Sequence, residues 1–217
     1  MKKTLTCCLA AFLILICVQA KAQSFAGGIL AGGTVSQING DGYAGYHQIG
    51  WTGGVFGRVP TDGPSSWQLE LKYTLLGAHS SIDEIDYGYA PMDIRLHYVE
   101  MPIMYRYNLS ELPINGMSFD FITLELGLSA DFLVKNNQSA YNDGGYENPD
   151  WLFFSVMGNF GVHIDLGERL GFNIRSMNSL TPCRLNPEWP LFSASHYTDH
   201  YFNIALEAKF VYTILAF

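Results

Sequence analysis

His196 and His200 stand four residues apart with Asp199 between them, and Ser195 precedes the first histidine. Imidazoles at such spacing can ligate a metal, and a histidine beside a carboxylate and a hydroxyl is the raw material of a hydrolytic site. Spacing is all that supports either reading, because Ser195 lies outside any nucleophile-elbow sequence. The acidic run Asp83, Glu84 and Asp86, and the segment Asp143-Gly144-Gly145, offer oxygen donors for calcium, yet neither follows the calcium-loop pattern. Gly50, Gly53, Gly54 and Gly57 fall inside a strand-like run, where glycine relieves crowding and cradles no phosphate. No catalytic residue, cofactor or metal is therefore assigned, and these loop groups read as solvated positions.

The polar residues that recur in a pattern are different ones. Glu70, Lys72, Asp93, Arg95, His97, Glu100, Arg106, Glu125, Asp131, His163, Arg175, Glu207 and Lys209 all lie within alternating runs. If that parity faces an enclosed space, the charges must pair with one another, and a salt-bridge network is expected.

The elements that would position them are strands. In Trp67–Leu75 the residues Trp67, Leu69, Leu71, Tyr73 and Leu75 alternate with Gln68, Glu70, Lys72 and Thr74, the period-2 signature of a two-faced strand. Comparable runs occupy about 25–37, 47–59, 92–108, 117–134, 151–166, 169–180 and 199–217. Eight strands follow, most far longer than the usual 5–6 residues. Their linkers, at about 38–46, 60–65, 80–91, 109–116, 135–150, 167–168 and 181–198, alternate long and short. Antiparallel up-and-down strands collect all odd connections at one end and all even ones at the other, and with an even strand count both termini share the short-turn end.

Composition narrows the class. The 217 residues are 48% apolar and 14% aromatic but only 15% charged, against roughly 25% charged in ordinary soluble proteins. Beyond the N-terminus no apolar run reaches the ~20 residues of a membrane helix. The net charge of -8 with 12 Lys and Arg excludes a nucleic-acid binder. Lys2 and Lys3, an apolar run from Leu5 to Val18 and the Ala20-Lys21-Ala22 site form a secretory signal, with cleavage after Ala22. Residues 23–217 then form one barrel domain with 9 Lys and Arg and a net charge of -11. Of the cysteines only Cys183 remains, so no internal disulfide can brace it.

Alternation does not say which face points outward. Phe202, Ile204, Leu206, Ala208, Phe210, Tyr212 and Ile214 form an unbroken apolar face opposite Asn203, Glu207 and Lys209. Phe154, Val156, Gly158, Phe160, Val162 and Ile164 likewise oppose Ser155, Asn159, His163 and Asp165. Too few charges exist to coat a soluble barrel, so the apolar faces are expected to meet lipid and the charges to fill a lumen just wide enough for side chains. The expected fold is an all-β, eight-stranded antiparallel up-and-down transmembrane β-barrel with a polar packed interior. Trp51, Trp67, Tyr105, Tyr107, Trp151 and Tyr212 are expected in aromatic girdles. In 92–108 the apolar parity passes from Ile94, Leu96 and Tyr98 to Val99, Met101, Ile103, Tyr105 and Tyr107, which predicts a β-bulge near Tyr98–Glu100.

The runs Trp67-Gln68-Leu69-Glu70-Leu71-Lys72-Tyr73 and Leu96-His97-Tyr98-Val99-Glu100-Met101-Pro102-Ile103 resemble the PorT-like outer-membrane β-barrel family. Its motif falls here on Tyr98, Glu100 and Pro102. Phe217 is out of phase with the apolar face ending in Ile214, so the terminal assembly signal is only partly met. The resemblance implies an outer-membrane barrel without an assigned activity. The expected role is non-enzymatic, in envelope structure, adhesion or a larger membrane or secretion assembly, with outer-membrane lipid and the barrel assembly machinery as partners, no cofactor and no nucleic acid. A barrel enzyme acting on lipid or peptide, and a soluble periplasmic lipocalin-like binder, are the alternatives.

Overall fold

The computed structural model describes residues 24–41, 45–61, 63–86, 91–114, 117–140, 151–185 and 200–216. The expected signal segment, Ser195, His196, Asp199, Asp143-Gly144-Gly145 and Phe217 lie outside these. Eight strands run in chain order: β1 (Ala26–Asn39), β2 (Gln48–Pro60), β3 (Ser65–His79), β4 (Met92–Ile114), β5 (Met117–Ala140), β6 (Phe154–Asp165), β7 (Leu170–Ser179) and β8 (Phe202–Ala216). Each pairs antiparallel with its neighbours, and β1 closes on β8 from Ala26↔Ala216 to Asn39↔Phe202. Closure leaves no unpaired sheet edge, as a backbone in lipid requires. A single helical turn, α1 (Ile82–Asp86), interrupts the β3–β4 linker.

Linkers β1–β2, β3–β4, β5–β6 and β7–β8 join the strands at one mouth, the long-loop end; the other three, the start of β1 and the end of β8 lie at the short-turn end. Two short turns show their chemistry directly. Thr61 N–H donates to Ser65 O at 3.0 Å around Gly63, whose φ of +87° suits a residue without Cβ. Leu166 N–H donates to Leu170 O at 2.9 Å around Gly167 and Glu168. The 109–116 connection differs from expectation: β4 continues to Ile114 and β5 begins at Met117, so nearly all of it is hairpin.

The parity slip expected in β4 does not occur. Ile94, Leu96, Tyr98, Glu100, Pro102, Met104 and Arg106 are all buried on one inner face. The bulge sits on the partner strand: His97 pairs Lys135 while Tyr98 pairs Leu133, leaving Val134 as the extra residue in β5. What changes along β4 is the chemistry of the lumen. At the long-loop end Ile38, Leu76, Ala78, Ile94, Leu96, Met157, Met177 and Ala205 form an apolar cluster with Tyr98. The uniformly polar interior is thus corrected: polar side chains fill the middle, and this apolar plug lies above them.

Outward-facing residues are apolar over the middle of every strand, including Ile29, Val55, Leu71, Ile103, Leu128, Phe160, Ile174 and Phe210. Trp51 stacks on Tyr73 with ring centroids 4.9 Å apart toward the long-loop end, and Trp67 meets Tyr105 edge-on at 5.2 Å toward the short-turn end. Trp151 belongs to neither girdle. It packs against Tyr201, with the Arg184 guanidinium over both rings at 5.7 and 4.8 Å, in a small ladder that joins the β5–β6 and β7–β8 linkers. Phe202 also leaves the lipid-facing row and is fully buried.

Candidate functional site

The barrel's middle is a charged core. Ten of the thirteen expected positions lie on its inner wall with almost no exposure: Glu70, Lys72, Glu100, Arg106, Glu125, Asp131, His163, Arg175, Glu207 and Lys209. They sit there because each shares the inward parity of its strand, and the barrel is too narrow for eight such rows to stay apart. Arg175 is the hub. Its Nη1 and Nη2 donate to Glu70 Oε2 and Oε1 at 2.9 and 2.7 Å, and Nη2 also donates to Glu125 Oε2 at 2.9 Å. This fork of donors suits two carboxylates at once.

Two lysines cross the lumen beside it. Lys209 Nζ lies 3.1 Å from Glu70 Oε2 and 2.6 Å from Glu207 Oε1. Lys72 Nζ lies 2.8 Å from Glu100 Oε2 and also pairs with Glu207. Arg106 Nε donates to Glu125 Oε1 at 2.7 Å, nearer the short turns. Glycines make the room for the lysines. A Cβ at Gly54, opposite Lys72, would fall 2.7 Å from Lys72 Cβ, and one at Gly32, opposite Lys209, 2.6 Å from Lys209 Cβ.

Neutral groups complete the network, and the sequence reading passed over them. Gln68 Nε2 donates to Glu70 Oε1 at 2.8 Å, Asn173 Nδ2 to Glu125 Oε2 at 2.9 Å, and Asn203 Nδ2 to the Tyr98 hydroxyl at 3.0 Å. Their signal was parity: Gln68 and Asn173 stand two residues before Glu70 and Arg175. The motif residues have structural work. Glu100 receives Lys72, and Pro102, lacking an N–H, faces the break in the β3–β4 ladder between Leu69↔Ile103 and Lys72↔Glu100.

Asp131 is the exception to pairing. It lies directly opposite Glu100 on one side and Ser155 on the other, and among the described residues no cation stands within 4 Å of it. Like charges directly opposite destabilise a sheet. Asp131→Asn is therefore expected to stabilise the barrel by about 1 kcal/mol, read as a higher urea midpoint in lipid vesicles; an unchanged or lower midpoint would show that Asp131 costs the fold nothing.

Asp93, Arg95 and His97 are corrections. All three point outward at the long-loop end, where Arg95 pairs with Asp93 at 2.9 Å and Tyr73 OH lies 2.6 Å from His97 Nδ1. The apolar Ile94, Leu96 and Tyr98 took the inward positions instead.

No set of three or more ligating side chains among the described residues could hold a metal ion. His200 is buried at the foot of β8, and Asp83 and Asp86 are exposed on α1. Cys183 is fully buried, its Sγ–H donating to Tyr201 O at 3.2 Å, and burial pushes the thiol up to about 12. Such a thiol is inert at neutral pH.

A closed barrel with an apolar outer band and a charged core is one half of the assignment. The other is the sequence: residues 21–183 match the outer membrane protein β-barrel domain family. The chain belongs to that family. It is an integral outer-membrane β-barrel. Similar solved structures include Ail, the attachment invasion locus protein of Yersinia pestis (10% identity, TM-score 0.45, covering 89% of this chain and 100% of that one). Neisserial surface protein A is similar too (10% identity, TM-score 0.46, covering 87% and 96%). No curated protein matches the sequence.

Proposed function

We propose that this outer-membrane barrel is a non-enzymatic and non-conducting envelope protein, which acts through the surface its long loops present, in adhesion or as part of a larger assembly. The observation that carries this reading is the filled lumen. Arg175, Lys72, Lys209, Glu70, Glu100 and Glu207 cross it with no more than 2% exposure, and the apolar cluster around Leu96 lies above them. Such an interior leaves no path for a solute and presents no catalytic group to one. In the same reading the signal is cleaved after Ala22, the barrel assembly machinery inserts the chain, and both termini face the periplasm. The Tyr98, Glu100 and Pro102 pattern supports a place among the PorT-like members.

Planar-bilayer recording tests the reading. The purified barrel is expected to add no stepwise conductance above background, and resolved openings would sink it. Covalent partners trapped by crosslinking in intact cells, through the long-loop end, are then expected to include another envelope protein or a host-surface component.

A further inference from the structure

We propose that the floor of the long-loop mouth binds an acidic sugar, its carboxylate received by Arg184 and its ring lying against Trp151 and Tyr201. This names a ligand class for the surface assigned above to adhesion, and it rests on that reading for the direction in which the mouth faces.

The floor is made by backbone pairing outside the eight strands. Trp151 precedes β6 and Tyr201 precedes β8, and Arg184 bridges to both. Leu152 N–H donates to Cys183 O and Cys183 N–H to Tyr201 O, each at 2.8 Å, and Tyr201 N–H donates to Arg184 O at 3.1 Å. Cys183, within this ladder, is fully buried. Trp151 and Tyr201 also pack against the apolar cluster that contains Leu96, so the ladder rests on the plug that seals the lumen. A base tied on both sides holds its side chains in place before any ligand arrives.

Arg184 is the group this base displays. Its guanidinium lies 4.8 Å from the centroid of Tyr201 and 5.7 Å from that of Trp151, two rings that meet edge-on at 6.4 Å. Aromatic faces attract the cation without accepting along its N–H bonds, so the donors of the fork stay unspent. Among the described residues none accepts a hydrogen bond from the Arg184 side chain or forms an ion pair with it. The other eight Lys and Arg that follow the signal segment are placed elsewhere: four in the lumen, Arg58 and Arg169 toward the short turns, Arg95 and Lys135 on the outer wall. Arg184 is thus the cation of the mouth floor.

A planar fork of donors held on aromatic rings is suited to receive a carboxylate through two bonds. Trp151, Arg184 and Tyr201 are all part-exposed, so apolar ring surface stays open beside the guanidinium. A hexuronic acid presents the matching pair, a C–H face next to a carboxylate. A peptide strand fits less well, because the N–H groups of Leu152, Cys183 and Tyr201 are spent within the ladder and do not pair with an added backbone. A lipid on the barrel wall would have to cross the rim to reach a site that lies over the lumen.

Saturation-transfer NMR on the full barrel in nanodiscs, with D-glucuronate, D-glucose and acetate as separate probes, tests the site. Glucuronate is expected to bind. Glucose, which has the ring without the carboxylate, and acetate, which has the carboxylate without the ring, should each bind about tenfold more weakly. Arg184→Gln should weaken glucuronate by about tenfold. Arg184→Lys, which keeps the charge and loses the fork, should retain part of the affinity, and Arg169→Gln at the opposite end should change nothing. Urea midpoints equal to that of the wild type show that the variants fold. No glucuronate binding by the wild type, acetate or glucose binding as tight as glucuronate, or full binding in Arg184→Gln would each overturn the acidic-sugar site. Nanodiscs expose both mouths, so cells supply the direction: those carrying the barrel are expected to adhere to polygalacturonate-coated beads. Binding in nanodiscs without adhesion by cells would overturn the outward-facing mouth and leave the site standing.

Discussion

Arg175→Met is expected to lower the stability of the folded barrel by about 3–5 kcal/mol, the cost of breaking a buried ion pair from one side. Burying the guanidinium gains little by itself, because removing it from water costs several kcal/mol that its partners only offset. The damage comes from what remains. Glu70 would keep Lys209 and Gln68 but lose a two-pronged partner, and Glu125 would keep Arg106 and Asn173. Both carboxylates stay enclosed, and neither can reach water. Urea unfolding of the vesicle-embedded protein, followed by tryptophan fluorescence, measures the change. A loss under about 1 kcal/mol would mean that the core is not the cooperative unit its distances describe. Adding Glu70→Gln to Arg175→Met is expected to restore part of the loss, because it removes one of the stranded charges.

Leu71→Arg is expected to cost about 2–4 kcal/mol, the penalty for a cation near the midplane of a bilayer-facing barrel wall. Leu71 is half exposed and lies between the Trp67 and Tyr73 levels of β3, opposite Val55. In a soluble barrel the same substitution would place a charge in water and cost almost nothing, so the experiment separates the two readings by size. The adjacent residue obeys the reverse rule. Lys72, one position along, needs its charge because Glu100 and Glu207 converge on it. A lipid-embedded barrel that tolerated Leu71→Arg without loss would contradict the assignment of outward and inward faces throughout.

Those two neighbours show why so much was legible beforehand. Strand side chains alternate with a period of two, so every residue of Trp67–Leu75 was assigned to one of two faces by counting. The shortage of charge and the unbroken Phe202–Ile214 row then favoured lipid outside. Linker lengths alternate because up-and-down strands put alternate connections at opposite mouths, and this supplied the topology. Most of the charged core followed, since Glu70, Lys72, Arg175, Glu207 and Lys209 share the parity opposite the apolar rows.

The error at β4 has a physical cause. Its apolar residues change parity at Tyr98, and a strand in one uniform solvent could do that only through a bulge of its own. This strand meets two solvents. Around Val99–Tyr107 the outer wall faces hydrocarbon, so apolar residues point out and Glu100 and Arg106 point in. Around Asp93–His97 the outer wall has passed the Trp51–Tyr73 girdle and faces headgroups and water, so Asp93, Arg95 and His97 point out and Ile94, Leu96 and Tyr98 seal the lumen. The backbone keeps its register while the chemistry of the two sides exchanges. The sequence by itself determined the strands, their order and, outside β4, the two faces of each, because alternation is local. Only the closed barrel decided which face is inside at each height, which carboxylate meets which cation and where Asp131 is left beside Glu100, because those depend on register between strands as far apart in the chain as Ala26 and Ala216.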